Sequence, residues 1–161
     1  MKKDTVIVLA LYPNSRGLGY ACLEQPQNLI ESGIASVRPI GNKKTLERVV
    51  KFVEFFKPKI IVLRDADGKH SKRVVALIES ITKYAKGINL PVYRYKREQI
   101  RDAFEVFGAK TKHEIANQIV EWFKQLKPRV PKIRKEWMDE DYNMGMFDAL
   151  SLAITHMHVG E

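Results

Sequence analysis

Blocks of apolar and polar residues in the first part of the chain predict three consecutive strands. A continuous apolar run at 6–11 is followed by the turn-forming pair Pro13-Asn14, a pattern typical of a strand covered on both faces. Strands at 17–24 and 30–37 follow at hairpin spacing, with a polar turn between them. We therefore expect an antiparallel meander whose first strand is central in the sheet.

The remainder of the chain alternates between helical and strand patterns. The predicted elements are, in order, a helix at 43–56, a strand at 59–63, a helix at 72–85, a strand at 90–93, a short helix following the basic stretch 95–101, a helix after Gly108, and a last helix at 143–158. The segment 127–135 contains two prolines and five cations, so it is interpreted as an extended loop and not as a helix.

Length and composition limit the architecture to one domain. A chain of 161 residues with 45% hydrophobic residues can bury one substantial core, so we expect a single α/β domain over 1–161. Cys22 is the only cysteine, which excludes an internal disulfide and fits a reducing, cytoplasmic location. The apolar stretch 5–11 is too short for a secretion signal or a membrane span, so no membrane association is expected.

The chain carries a large positive charge. Lys and Arg total 28 against 19 Asp and Glu, for a formal net charge of +9. Such a surplus favours a polyanionic partner, either nucleic acid or an anionic membrane face. A basic soluble protein without such a partner has the same composition, so charge alone leaves the partner open.

Four segments resemble the RuvC family of Holliday-junction resolvases. They are 12–20 (Tyr-Pro-Asn-Ser-Arg-Gly-Leu-Gly-Tyr), 90–101, 108–120 and 148–159, the last containing the unusual string Asp-Ala-Leu-Ser-Leu-Ala-Ile-Thr-His-Met-His. The resemblance implies a ribonuclease H-like fold, an α/β structure with three antiparallel strands and then two parallel strands in one five-stranded mixed sheet flanked by helices. It also implies a nucleic-acid partner, DNA more than RNA, and a homodimer.

Most of the carboxylates on which catalysis rests in this family are replaced here. The family places acids at the end of the first strand, at the end of the fourth, and in the first turn of the last helix, where they hold two divalent cations about 4 Å apart. In this sequence Tyr12, Arg64 and Gly145 stand at three of those positions, and only Asp148 is retained. A lone carboxylate beside a guanidinium is not expected to hold two Mg²⁺ ions, because arginine cannot lose its proton. We therefore expect an Arg64–Asp148 ion pair, no cofactor, and a protein that binds without cutting.

An alternative is that other acids replace the missing ones. The candidate metal ligands besides Asp148 are Asp65, Asp67, Asp139, Glu140 and Asp141. The side chain of Asp65 is expected to point away from that of Arg64, because side chains alternate faces along a strand. Asp141 shares the helical face of Asp148 if the last helix begins that early. This alternative predicts an endonuclease that depends on Mg²⁺ or Mn²⁺, whereas the competing interpretation of these acids is a solvated loop.

Two histidines near the end of the last helix are interpreted as structural or surface residues. His156 and His158 are two positions apart, so their side chains diverge by about 200° around the helix axis and do not bind one metal ion together.

Three groups of basic residues are candidate phosphate contacts. They are Lys69, Lys72 and Arg73 (with His70); Arg94, Lys96, Arg97 and Arg101, interleaved with Tyr93 and Tyr95; and Lys110 and Lys112 together with the run 127–135. On this basis we expect a RuvC-like protein that binds branched or structured DNA with weak or absent nuclease activity. The alternatives are the metal-dependent endonuclease described above and a protein-interaction scaffold whose charge only provides solubility.

Overall fold

A five-stranded mixed sheet with helices on both faces forms the fold. The computed structural model describes residues 6–15, 17–25, 28–37, 41–66, 71–133 and 141–159. Its strands are β1 (Ile7–Asn14), β2 (Gly17–Glu24), β3 (Asn28–Ala35), β4 (Ile60–Arg64) and β5 (Val92–Tyr95). Its helices are α1 (Asn42–Phe56), α2 (Lys72–Gly87), α3 (Arg97–Glu105), α4 (Lys112–Trp122) and α5 (Met144–Val159), with a 3-10 helix at Lys124–Arg129.

The sheet has the strand order β3-β2-β1-β4-β5. Strands β1, β2 and β3 pair antiparallel, whereas β1 with β4 and β4 with β5 pair parallel. The predicted ribonuclease H-like topology and the central position of β1 are therefore confirmed. Because β1 lies between two strands and under two helical layers, its residues 8–13 are all buried, which explains its continuous apolar run.

Alternation along β1 separates two cores. Val8, Ala10 and Tyr12 contribute to the core beneath α3, α4 and α5. Leu9 and Leu11 contribute to the core beneath α1 and α2. The position of a residue along the strand therefore decides which helical layer its side chain meets.

Helix α5 is buried along most of its length although it contains several polar residues. Ser151 donates a hydrogen bond from its hydroxyl to the carbonyl of Asp148 at 2.6 Å, and Thr155 donates to the carbonyl of Ser151 at 2.7 Å. These bonds satisfy the two buried hydroxyl groups, so Ser151 and Thr155 do not need water as a hydrogen-bond partner.

Two glycines allow α5 to lie directly on the sheet. A methyl group on Gly19 of β2 would collide with the backbone carbonyl of Gly145 in the first turn of α5. A methyl group on Gly145 would lie 3.0 Å from Nδ2 of Asn14 and 3.2 Å from Cδ1 of Ile34. The sheet and the helix meet here backbone to backbone, and a larger side chain at either position has to displace a neighbour.

The sequence predicted most of the other helices and strands with small shifts at their ends, but residues 97–101, which were expected to precede a short helix, form the first part of α3 itself. Strand β5 begins at Val92 and not at residue 90, because Pro91 has no backbone N–H to donate to a neighbouring strand; its carbonyl accepts from the amide of Ile61 at 2.9 Å. None of the helices within the described ranges is both long and apolar enough to cross a bilayer.

The prediction of an extended loop at 127–135 is wrong for its first part. Lys127–Arg129 belong to the 3-10 helix, which contains Pro128. The buried side chain of Leu126 fixes this turn in the core, and its amide donates to the carbonyl of Phe123 at 3.0 Å. Proline is tolerated because a short 3-10 turn needs few backbone donors. Residues 130–133 have no regular structure, and 134–135 lie outside the described residues.

Candidate functional site

Parallel pairing of β1 with β4 brings together Tyr12 and Arg64, two positions at which the resemblance predicts acids. The register aligns Leu11 with Leu63, so Tyr12 and Arg64 follow as neighbours at the carboxyl ends of the two strands. The guanidinium carbon of Arg64 lies 4.5 Å from the centre of the Tyr12 ring, a cation–π contact. Arg64 also donates from Nη1 to the backbone carbonyl of Pro13 at 2.6 Å, which ties β4 to the end of β1.

Asp148, which the resemblance predicts to be the one retained acid, is buried next to this pair and lies between two cations. Its side chain is 3% exposed. Nη1 of Arg97 lies 3.4 Å from its Oδ1, and Nζ of Lys112 lies 3.2 Å from its Oδ2. We call the group formed by Tyr12, Arg64, Arg97, Lys112 and Asp148 the Asp148 corner.

Both cations that contact Asp148 stand at the start of a helix. Arg97 is the first residue of α3 and Lys112 the first residue of α4. The hydroxyl of Thr111 caps α4 by accepting from the amide of Glu114, and this fixes the direction in which Lys112 leaves the helix. Since the first backbone N–H groups of a helix carry partial positive charge, the starts of α3 and α4 add to the positive potential here.

All four charged residues of the corner affect the pKa of Tyr12. Burial raises the pKa of the Tyr12 phenol, and the nearby Asp148 carboxylate raises it further. Lys112, Arg64 and Arg97 act in the opposite direction but do not reverse the shift. Tyr12 is therefore a neutral phenol whose ring lies under cations, and it does not replace the charge of the missing acid.

Asp148 has partners other than the one expected from the sequence. Arg64 was the predicted partner, but its guanidinium contacts Tyr12 and the Pro13 carbonyl. The ion pairs described for Asp148 are with Arg97 and Lys112, which were predicted only as phosphate contacts. Both open a helix, but no local sequence signal indicates that they meet the same carboxylate.

The described residues of the corner do not fit a centre for two divalent metal ions. Such a centre needs several carboxylate oxygens, and the described side chains of this corner supply those of Asp148 alone. Tyr12 and Arg64 supply a neutral ring and a cation, and a side chain added at Gly145 would meet Asn14 and Ile34. Within the described ranges, no three Asp, Glu, His or Cys side chains come together as a metal site.

The candidate ligand Asp65 lies on the opposite face of the sheet, as the alternation along the strand predicted. Its Oδ1 accepts from Nε of Arg94 at 3.0 Å, and Nη1 of Arg94 contacts Glu79 of α2 at 2.8 Å. Asp65 and Arg94 therefore belong to the layer of α1 and α2, away from Asp148.

Asp141 contacts backbone amides just before α5. Its Oδ1 accepts from the amide of Asn143 at 2.9 Å, and its Oδ2 accepts from the amide of Lys132 at 3.2 Å. These bonds tie residue 132 to the beginning of α5. The other candidate ligands, Asp67, Asp139 and Glu140, lie outside the described residues, as do Lys69 and His70.

The remaining basic candidates are spread over the surface. Nη2 of Arg73 donates to the carbonyl of Asn14 at 2.8 Å, so this side chain supports the turn after β1. The exposed candidates are Lys72, Lys96, Arg101 and Lys110. The structure therefore joins Arg97 and Lys112 with Arg64 in one place, and it places Arg94 on the other face.

The two histidines of α5 have separate surroundings. His156 is buried, and its Nδ1 lies 2.8 Å from the hydroxyl of Tyr95. Burial lowers the pKa of His156. The ring of His158, which is exposed, lies 5.4 Å from that of Phe107.

Comparison with known proteins shows which solved structures have a similar fold. No protein-family model and no curated protein sequence matches the chain. RuvC of Thermus thermophilus in complex with a Holliday junction substrate superposes with a TM-score of 0.66 at 17% identity, over 94% of this chain and 92% of that chain. Another Thermus thermophilus RuvC structure gives 0.66 at 17% identity, over 94% and 93%. The yeast mitochondrial Holliday junction resolvase Ydc2 gives 0.64 at 14% identity, over 98% and 80%. The chain therefore has a RuvC-like fold of the ribonuclease H-like class.

Proposed function

We propose that this protein binds branched or structured DNA in the manner of a RuvC-like protein and has weak or absent metal-dependent nuclease activity. The observation that carries the proposal is the pairing of Asp148 with Arg97 and Lys112 at 3.4 and 3.2 Å. Each oxygen of the retained acid faces a fixed cation, and the neighbouring family positions provide no further carboxylate.

The nucleic-acid part of the proposal is supported by fold and charge together. Solved structures that superpose on this chain include RuvC in complex with a Holliday junction substrate and the yeast Holliday junction resolvase Ydc2. The net charge of +9 favours a polyanion, and the exposed cations Lys96, Arg101 and Lys110 add to those of the Asp148 corner. Contacts of this kind act mainly on the phosphate backbone, so affinity is expected to depend on DNA shape more than on sequence. A homodimer and a cytoplasmic location are further parts of this proposal.

The test is a combined binding and cleavage assay on a four-way DNA junction, a matched duplex and a structured RNA. Each is measured with Mg²⁺, Mn²⁺ or EDTA, using the wild type and Asp148→Asn. We expect tight, salt-sensitive binding to the junction, weaker binding to the duplex and RNA, and no cleavage.

Two other results identify a competing function. Metal-dependent cleavage that is lost in Asp148→Asn means that other acids have rebuilt the metal site. Absence of salt-sensitive binding to any of the three nucleic acids means that the fold serves as a protein-interaction scaffold.

A further inference from the structure

We infer that the segment between α4 and α5 is a track for the backbone of a duplex arm of the bound DNA. Four cations of this segment form what we call the basic ridge: Lys124, Lys127, Arg129 and Lys132. This inference rests on the proposed DNA binding and adds a duplex arm to the substrate, beyond the branch itself. The ridge then contributes affinity that does not depend on the branch point.

The cations of the basic ridge are not balanced by acids of their own segment. The chain has no Asp or Glu between Glu121 and Glu136. Within the described ranges, the side chains of the four ridge cations form no ion pair. Their charge is therefore available to a ligand, whereas the charge of Arg94 is already engaged by two carboxylates.

The 3-10 helix fixes two of these cations on one side. Such a helix has three residues per turn and rises about 2.0 Å per residue, so Lys124 and Lys127 lie on the same side, about 6 Å apart along the axis. Both lysines are exposed, whereas Leu126 between them is buried. Because the buried side chain anchors the turn, the two ammonium groups leave the protein from a fixed backbone.

Two hydrogen bonds hold the other end of the ridge next to the Asp148 corner. Nε2 of His113, the residue after Lys112, lies 3.2 Å from the carbonyl oxygen of Lys132. The amide of Lys132 donates to Oδ2 of Asp141, just before α5, at 3.2 Å. Lys132 therefore lies near the starts of α4 and α5, whereas Lys124 follows the end of α4. Because α4 has 11 residues that each rise 1.5 Å, the ridge runs for about 16 Å along this layer.

A DNA duplex is the polyanion that this geometry favours. Each strand of a duplex carries one phosphate per about 3.4 Å of helix axis, so the length of the ridge matches about five base pairs. A row of separated cations can meet successive phosphates of a linear polymer, whereas one small anion would contact only part of the row. Three of the four cations are lysines, which act as point charges on phosphate and do not offer a planar fork for base edges. We therefore expect the ridge to bind duplex backbone without sequence readout.

The first experiment measures binding to a four-way junction and to a matched duplex as a function of salt, in EDTA. The ridge variant combines Lys124→Gln with Lys127→Gln. The control combines Lys51→Gln with Lys83→Gln, which removes the same charge from exposed positions on α1 and α2.

We expect the ridge variant to reduce the slope of log affinity against log salt by about 2 on both DNAs, because each lost phosphate contact removes about 0.9. The control should keep the wild-type slope. The slope should also be kept when Lys124 and Lys127 are both replaced by arginine, since both cations are retained.

A second experiment locates the contact on the DNA. All four arms of the junction carry neutral methylphosphonates in one window of about five base pairs, and successive substrates move this window outward from the branch. We expect one window at which the wild type loses affinity and the ridge variant shows no additional loss, because both changes remove the same contacts. Additive losses in every window would mean that the ridge does not contact phosphate, and the inference would be wrong.

Binding by the wild type separates a failure of the ridge from a failure of the proposed function. If the wild type binds the junction with a steep salt dependence and the ridge variant has the slope of the control, the proposed function stands and the ridge does not bind DNA. A slope reduced on the junction but not on the duplex would also contradict the inference, because the ridge would then contact the branch and not an arm. Failure of the wild type to bind any nucleic acid would remove the proposed function, and this inference with it.

Discussion

Gly19 in β2 and Gly145 in α5 are in backbone contact, and neither position has room for a side chain without movement of its neighbours. Gly145 stands where the RuvC family is expected to carry a catalytic acid. The close approach allows α5 to lie on the sheet with Asp148 buried at its edge. The tight packing of the last helix therefore depends on the same residue that stands where the resemblance predicts an acid.

Replacement of Gly19 by alanine should destabilise the fold. The added methyl meets the backbone carbonyl of Gly145, which cannot rotate away as a side chain can. We expect a loss of about 1–3 kcal/mol in the free energy of unfolding, the usual range for overpacking. The control is Gly87→Ala in α2, where an added methyl meets nothing within 4 Å. Urea denaturation of both variants tests this, and equal stability of Gly19→Ala and wild type would mean that α5 does not press on β2.

Removal of Lys112 should destabilise the protein through Asp148. In Lys112→Met the carboxylate keeps Arg97 but loses one of its two described cationic partners, which we expect to cost about 1–3 kcal/mol. The effect should largely disappear when Asp148→Asn is already present, because an amide carries no charge to balance.

A double-mutant cycle of Lys112→Met and Asp148→Asn, measured by urea denaturation, gives this coupling. Lys110→Met is the matched control, since that side chain is exposed nearby in the sequence. Additive effects of the two changes at the corner would contradict a direct interaction.

His156 should make stability depend on pH in the mildly acidic range. Burial lowers its pKa in the folded state below the ordinary value of 6.5. Above that value both the folded and unfolded states are neutral, so His156 has no effect. As pH falls below it, the unfolded state takes up a proton first, and stability is lost until the lowered folded pKa has been passed.

Thermal unfolding as a function of pH checks the His156 prediction. His156→Gln should flatten this part of the pH profile, and His158→Gln should not, because His158 is exposed. An unchanged profile in His156→Gln would assign the pH dependence to other groups.

Arg94 should contribute to stability and not to DNA affinity. Its guanidinium is engaged by Asp65 and Glu79 on the face away from Asp148. We expect Arg94→Gln to cost about 1 kcal/mol, a modest value because the pair is partly exposed. The salt dependence of junction binding should remain that of the wild type. A reduced slope would place Arg94 among the phosphate contacts instead.

The fold could be predicted because its signals are local. The apolar run of β1, the hairpin spacing of β2 and β3, and the periodicity of α1 and α2 each reflect which side of an element faces solvent. Alternation along β4 also predicted correctly that Asp65 would point away from Arg64. The 3-10 helix at Lys124–Arg129 was not predicted, because Pro128 and the nearby cations suggested a loop, while the burial of Leu126 depends on distant neighbours.

The partners of Asp148 could not be predicted, because they are distant in the sequence. Arg97 is 51 residues from Asp148 and Lys112 is 36 residues from it. Helices α3 and α4 both pack against α5, and this packing brings their first residues to Asp148. The resemblance predicted Asp148 as the one retained acid, and it suggested Arg64 as its partner because that residue stands where a neighbouring acid is expected.

The sequence by itself determined the order of the elements, the antiparallel meander of the first three strands and the absence of acids at Tyr12, Arg64 and Gly145, whereas the topology of the whole sheet was implied by the resemblance to the RuvC family. Hydrophobic periodicity and residue identity carry this information along the chain. The tertiary structure decided which cations meet Asp148 and which basic residues, such as Arg94, are engaged on another face. The physical reason is that ion pairing depends on distance and burial in three dimensions, and neither is encoded in the spacing of charges along the chain.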